Sequence, residues 1–140
     1  MSHICKAALV QCMDFRFMKG IRGFLDQNGL TGDCDLVSVA GATKCIVDPA
    51  TPAETDFLLK QIGLSHDLHS TKHLILMNHL DCGAYGGSKA FASPEEEHGR
   101  HVADLTRAGD ILKQKYPELE IKKVIAKLDD AGAVTFEHVG

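Results

Sequence analysis

The stretch Leu74-Ile75-Leu76-Met77-Asn78-His79-Leu80-Asp81-Cys82-Gly83-Ala84-Tyr85-Gly86-Gly87 decides the fold. Leu74 to Met77 is an unbroken apolar run, as in a strand covered on both faces, and the chain then breaks into a glycine-rich loop. His79 and Cys82 stand three positions apart at that break. A neutral imidazole and a thiolate are both good zinc ligands, and so short a loop lets both face one ion. Gly83, lacking a Cβ, is expected to let the backbone turn sharply beside them. Two ligands do not complete a site, so a third donor must come from elsewhere in the chain.

Outward from this stretch, strands and helices alternate. Cys5 to Cys12 reads as a buried strand that ends in a cysteine. Arg16 to Gln27 carries Phe17, Ile21, Phe24 and Leu25 at helical spacing, although Gly20 and Gly23 are poor helix formers. Asp35 to Val39 is a second strand, and Ala40-Gly41-Ala42 opens a loop. Thr51-Pro52-Ala53-Glu54 is a helix start with Thr51 as N-cap and Glu54 closing a capping box. That helix is predicted to run to Ile62 and stop at Gly63, before a third strand over His73 to Asn78. Ser93-Pro94-Glu95-Glu96 repeats the start signal for a helix reaching Tyr116-Pro117 through Val102, Leu105, Ile111 and Leu112. Ile121 to Leu128 is a fourth strand, Asp129 to Gly132 a turn, and Val134 to Val139 a short antiparallel partner. No repeat, low-complexity segment or linker divides residues 1–140, which are read as a single domain.

This alternation predicts an α/β fold: a central, mostly parallel sheet flanked by helices, with an antiparallel strand at one edge. Ligands of such sheets bind beyond the carboxyl ends of the strands, where the strand order reverses. In the order 2-1-3-4 the first and third strands are neighbours, and Cys12 lands beside His79 and Cys82. The next residues, Met13-Asp14-Phe15-Arg16, place a carboxylate and a guanidinium two positions apart. Arginine fixes a carboxylate through two parallel hydrogen bonds, which keeps Asp14 ionised and aimed. Beside a metal, such an Asp14 has two uses. It accepts a hydrogen bond from metal-bound hydroxide, or it takes the fourth coordination position and closes the site.

Composition bounds the setting. The 140 residues, 44% of them hydrophobic, suit one compact core. A formal net charge of −4 with no basic run predicts no nucleic-acid partner. Ala7 to Val10 is too short for a signal-peptide core, and no segment is long enough to span a membrane. Five cysteines without framework spacing predict free or metal-bound thiols in a reducing compartment, hence a soluble cytoplasmic protein.

With these residues in view, the chain resembles the β-class carbonic anhydrases. That family carries Cys-x-Asp-Ser-Arg after its first strand and His-x-x-Cys-Gly after its third. They are matched by Cys12-Met13-Asp14-Phe15-Arg16 and His79-Leu80-Asp81-Cys82-Gly83. Ala40-Gly41 is similar to the family's Asn-Ala-Gly segment. The resemblance runs from the first strand to the final hairpin. It implies one Zn2+ held by Cys12, His79 and Cys82, with Asp14 and Arg16 as the catalytic dyad and reversible hydration of carbon dioxide to bicarbonate as the reaction. It also implies a homodimer or higher homo-oligomer. Relatives with this fold hydrolyse carbonyl sulfide or carbon disulfide. Against these enzymes stands a non-enzymatic zinc-binding domain in which Asp14 closes the site, and the Asp14-x-Arg16 pair favours an enzyme. Phe15 stands where the family usually has Ser, Val39 where it has Asn, Ser38 where Arg often precedes that Asn, and Asn78 in place of a Gly. The N-terminal helical extension of many members is not seen ahead of the first strand. These departures touch the pocket walls and dimer seam, where Phe15, Phe17 and Tyr85 are expected as apolar walls.

The remaining chemistry-bearing residues have plainer readings. Cys5, Cys34 and Cys45 are taken as structural, Cys45 being the strongest of the three as a reactive thiol. His66, His69, His73, His98 and His101 have spacings that suit a metal but read as solvated surface groups.

Overall fold

A computed structural model describes residues 3–140. Its strands are β1 (Ala7–Gln11), β2 (Cys34–Ser38), β3 (His73–His79), β4 (Glu120–Leu128) and β5 (Val134–Val139). Its helices are α1 (Met18–Gln27), α2 (Lys44–Val47), α3 (Pro52–His69) and α4 (Pro94–Lys115). The five strands form one sheet in the order β2-β1-β3-β4-β5. The first four are parallel and β5 runs antiparallel to β4, as the alternation of elements predicts.

Strand periodicity builds a core on each face. Ala7, Leu9, Ile75, Met77, Val124 and Ala126 turn toward Phe17, Ile21, Phe24 and Leu25 around α1. Ala8, Val10, Leu74, Leu76 and Ile125 turn the other way, onto Ile46, Leu58, Ile62, Leu105 and Leu112 from α2, α3 and α4. Burial on both faces explains why β1 and β3 read as continuous apolar runs.

Three helix expectations need correction. α3 does not stop at Gly63 but runs to His69, with Ser70 in the left-handed region (φ 51°) as its C-cap. Gly63 is there for packing: a Cβ on it would lie 2.7 Å from the Tyr116 hydroxyl oxygen. The loop opened by Ala40 soon becomes α2, too short for a periodic signal. Ser93 caps α4 by accepting from the Glu96 amide at 3.1 Å, but the Glu96 carboxylate turns back to Ala92 N–H, not to Ser93. Gly20 also has a tertiary reason, since a Cβ would sit 2.5 Å from Val134 Cβ where α1 crosses β5.

Among the described residues, no helix is long and apolar enough to cross a membrane.

Candidate metal centre

β1 and β3 are adjacent and parallel, so the loops that leave them emerge at the same end of the sheet. The backbone extends β1–β2 pairing past the strand ends: Val39 N–H donates to Gln11 O at 3.0 Å and Met13 N–H to Val39 O at 3.3 Å. Cys12 is thereby fixed at the sheet edge. Its sulfur lies 3.9 Å from Cys82 Sγ and accepts from Gly41 N–H at 3.4 Å. Gly41 has φ +82°, and a Cβ there would come within 3.0 Å of Ala84 Cβ, so glycine lets this amide reach the sulfur.

Cys12, His79 and Cys82 each present a ligand atom within 4.8 Å of the other two. His79 Nδ1–H donates to Leu80 O at 2.7 Å, which fixes the tautomer and leaves Nε2 as the free donor. Nε2 is buried without a hydrogen-bond partner. The ring stacks on Phe17 with centroids 4.2 Å apart, and β3 alternation puts it on the α1 side of the sheet. The Cys12 thiol is pulled well below its ordinary range, chiefly by the hydrogen bond from Cys82, and against the cost of burial. As the donor in that pair, Cys82 is pushed up. An orphaned imidazole nitrogen facing two sulfurs, one of them favoured toward the thiolate, fits a zinc-class cation better than a set of ordinary core side chains.

Asp14 stands beside this set, with Oδ2 3.6 Å from His79 Nε2. Arg16 occupies both of its oxygens. The Arg16 amide and Nε donate to Oδ1 at 3.0 and 3.1 Å, and Nε and Nη2 donate to Oδ2 at 3.1 and 2.7 Å. This guanidinium holds the Asp14 carboxyl below its usual range and ionised. Arg16 is anchored in turn by Asp81, whose Oδ2 accepts from Nη1 at 3.2 Å and whose backbone carbonyl accepts from Nη2 at 3.0 Å.

Asp81 was not singled out from the sequence, although its place inside His79-Leu80-Asp81-Cys82 was a signal. It also carries the sharp turn expected at Gly83. Asp81 has φ +58°, a conformation that Asp tolerates better than most residues, whereas Gly83 is free of such strain.

A second unrecognised feature lies beneath the site on the α4 side. Asn78 is 1% exposed. Its amide oxygen accepts from Thr43 N–H at 3.2 Å and Thr43 Oγ1 at 2.8 Å. Its amide nitrogen donates to the Tyr85 hydroxyl at 3.1 Å and to His101 Nδ1 at 3.0 Å. Tyr85 donates onward to Asp104 at 2.7 Å. This corrects two expectations. His101 is fully buried, not a surface group, and burial lowers its pKa to about 4, so it is neutral. Tyr85 belongs to this polar network and stacks on His101 instead of serving as an apolar pocket wall.

The other residues fall as follows. Phe15 is exposed, and Phe17 is buried against His79. Cys45 is not activated, because burial and Glu54 raise its pKa. His66, His69, His73 and His98 are partly exposed, and each pairs with a carboxylate. Beside Cys12 and Asp14 opens a cavity of about 400 Å³ whose lining includes Met13, Phe15, Met18, Ile21, Leu25 and Leu36.

A family model described as "Putative carbonic anhydrase" matches residues 2–134. An uncharacterised protein of Rickettsia conorii is 30% identical over 124 residues, which cover 86% of this chain and 67% of the relative. Two solved structures share the fold. A tetrameric beta-carbonic anhydrase of Sordaria macrospora superposes with a TM-score of 0.59 at 16% identity, covering all of this chain and 82% of that one. An apo carbon disulfide hydrolase gives a TM-score of 0.58 at 15% identity, covering 96% and 79%.

Proposed function

The chain belongs to the carbonic anhydrase family whose model spans its residues 2–134, and from that premise we propose that it is a zinc enzyme catalysing the reversible hydration of carbon dioxide. Cys12, His79 and Cys82 hold the zinc. When bound, the metal supplies a Lewis-acidic centre and a water acidified toward neutral pH, the source of the nucleophile. Everything else in the step falls to the chain's own side chains.

The observation that carries this reading is the clamp of Arg16 on Asp14, which leaves the ionised carboxylate 3.6 Å from His79 Nε2. Asp14 can only accept there, so it takes the proton side of the attacking water and turns an oxygen lone pair toward the substrate carbon. Arg16 and Asp81 hold Asp14 in that pose before the substrate arrives, so little reorganisation is left for the reaction. With both oxygens engaged by Arg16, the carboxylate is also restrained from becoming a fixed fourth ligand, which counts against a purely structural zinc domain. Stopped-flow hydration by the zinc-loaded chain across pH tests the proposal: catalysis that rises with pH is expected, and a rate equal to buffer at every pH refutes it.

The apolar cavity at Cys12 and Asp14 favours a second reading, hydrolysis of an uncharged sulfur analogue such as carbonyl sulfide or carbon disulfide. Sulfide release in place of carbon dioxide hydration would select it. None of the five cysteines is in a disulfide, which supports work in the cytoplasm.

The same face supports a homo-oligomer. Met13, Phe15, Met18 and Leu36 are 65%, 82%, 66% and 53% exposed, an apolar patch at the rim of the site that a second copy would cover. Sedimentation is expected to give a dimer or larger assembly, shifted toward monomer by Phe15→Asp combined with Met18→Lys. A wild-type chain that stays monomeric at high concentration, with activity intact, contradicts this.

A further inference from the structure

The opposite end of the sheet carries a second set of metal-binding side chains. Cys5 precedes β1, Asp35 is the second residue of β2 and His69 ends α3. Three segments remote in sequence thus meet at the amino ends of the parallel strands. Their ligand atoms all lie within 4.8 Å of one another. The backbone locks the meeting, with Cys5 N–H donating to His69 O at 3.1 Å. Asp35 is oriented by neighbours of its own: its Oδ2 accepts from Ser65 Oγ at 2.7 Å and sits 2.6 Å from His69 Nδ1. Ser65 is bonded in turn to Thr71, which lies 3.6 Å from the Cys5 sulfur.

From this arrangement, the geometry points to a second zinc-class site made by Cys5, Asp35 and His69, separate from the catalytic centre. A thiol, an imidazole and a carboxylate together suit Zn2+, Co2+ or Ni2+, whereas Mg2+ and Ca2+ select oxygen donors alone. The carboxylate is already hydrogen-bonded by Ser65, the kind of outer support that fixes a ligand's orientation. The short Asp35–His69 contact keeps two donors side by side without metal. On binding, the Cys5 thiol gives up its proton, the His69 Nδ1 proton passes to Nε2, and carboxylate and imidazole spread to the roughly 3.3 Å that bonds of about 2.0 Å to one tetrahedral ion require. The three residues line a surface cavity of about 310 Å³ that also has His3 and Cys34 in its wall. It gives an ion a route from solvent, and His3 stands in the same wall, outside the cluster of three. Cys34 is a poorer one, because burial pushes its thiol up to about 12.

The site lies apart from the catalytic zinc. Cys5 and Cys12 bracket β1, and a strand rising about 3.3 Å per residue puts roughly 20 Å between them. An ion here would tie the start of β1 to β2 and to the end of α3, so its role is to fasten the sheet edge and not to act on substrate.

The test is a zinc count on the full chain, equilibrated with buffered Zn2+ and gel-filtered, in four forms. Wild type is expected to hold two ions, and Cys82→Ser, Cys5→Ala and His69→Gln one each. Cys5→Ala and His69→Gln should retain the hydration rate of wild type. Co2+ loaded into Cys82→Ser should give the absorption of a single-thiolate site, lost on adding Cys5→Ala. Should His69→Gln fail to fold, Cys5→Ala carries the test, since it only shortens a half-buried side chain. One ion that survives Cys82→Ser and is lost in Cys5→Ala upholds this site and sinks the catalytic one. No loss of zinc in either Cys5→Ala or His69→Gln overturns the assignment.

Discussion

Asp14→Asn is expected to keep the catalytic zinc and lower carbon dioxide hydration by about 10²–10³-fold, whereas Cys82→Ser is expected to lose that ion and the activity with it. The contrast follows from what each side chain does. Cys82 is 2% exposed and its sulfur lies 3.9 Å from that of Cys12. Serine offers an alcohol that stays protonated, so the site falls to two donors and its affinity drops by roughly a hundredfold or more. Asp14 touches the donor set only at its edge, and asparagine fills the same space. The amide, however, can donate where the carboxylate only accepts, so the attacking water is no longer held in one orientation.

Arg16→Ala separates the two states open to Asp14. Freed from the three hydrogen bonds of the guanidinium and held only by the backbone amide of residue 16, the carboxylate can swing onto zinc and close the site. Full metal content with activity lost at every pH is the expected result. If metal content and hydration rate are unchanged in both Asp14→Asn and Arg16→Ala, the pair is structural and the enzyme reading loses its main support.

Asn78→Ala is expected to destabilise the metal-free chain by about 3 kcal/mol and lower its melting temperature by about 10 °C. The side chain is 1% exposed and joins Thr43, Tyr85 and His101 by four hydrogen bonds. Alanine strands the Thr43 amide and hydroxyl and His101 Nδ1 where water has no easy access, and an unsatisfied buried group costs about 1–3 kcal/mol. Asn78→Asp would still accept from Thr43. It would lose the donors to Tyr85 and His101 and bury a charge near Asp104, so it should be no better than alanine. Thermal melts of both variants decide the matter. A loss below about 1 kcal/mol for Asn78→Ala would show that the network relaxes around the gap.

Sequence alone determined the order and type of the strands, because burial on both faces writes itself as the apolar runs of β1 and β3. It also determined the paired motifs around Cys12 and His79, since ligand chemistry restricts those positions to few residue types. The close approach of Cys12, His79 and Cys82 needed the strand order 2-1-3, which local patterning permits but does not force. Only the tertiary structure decided what depends on contacts between distant segments. Gly63 looks like a helix end until Tyr116 is packed against it. His101 reads as polar surface until α4 turns it under β3 to meet Asn78. Cys5, Asp35 and His69 carry no shared motif, and only the folding of α3 back along the sheet brings them together. Periodicity reports which face a residue takes on its own element, and the partner it meets there is set by how the elements pack.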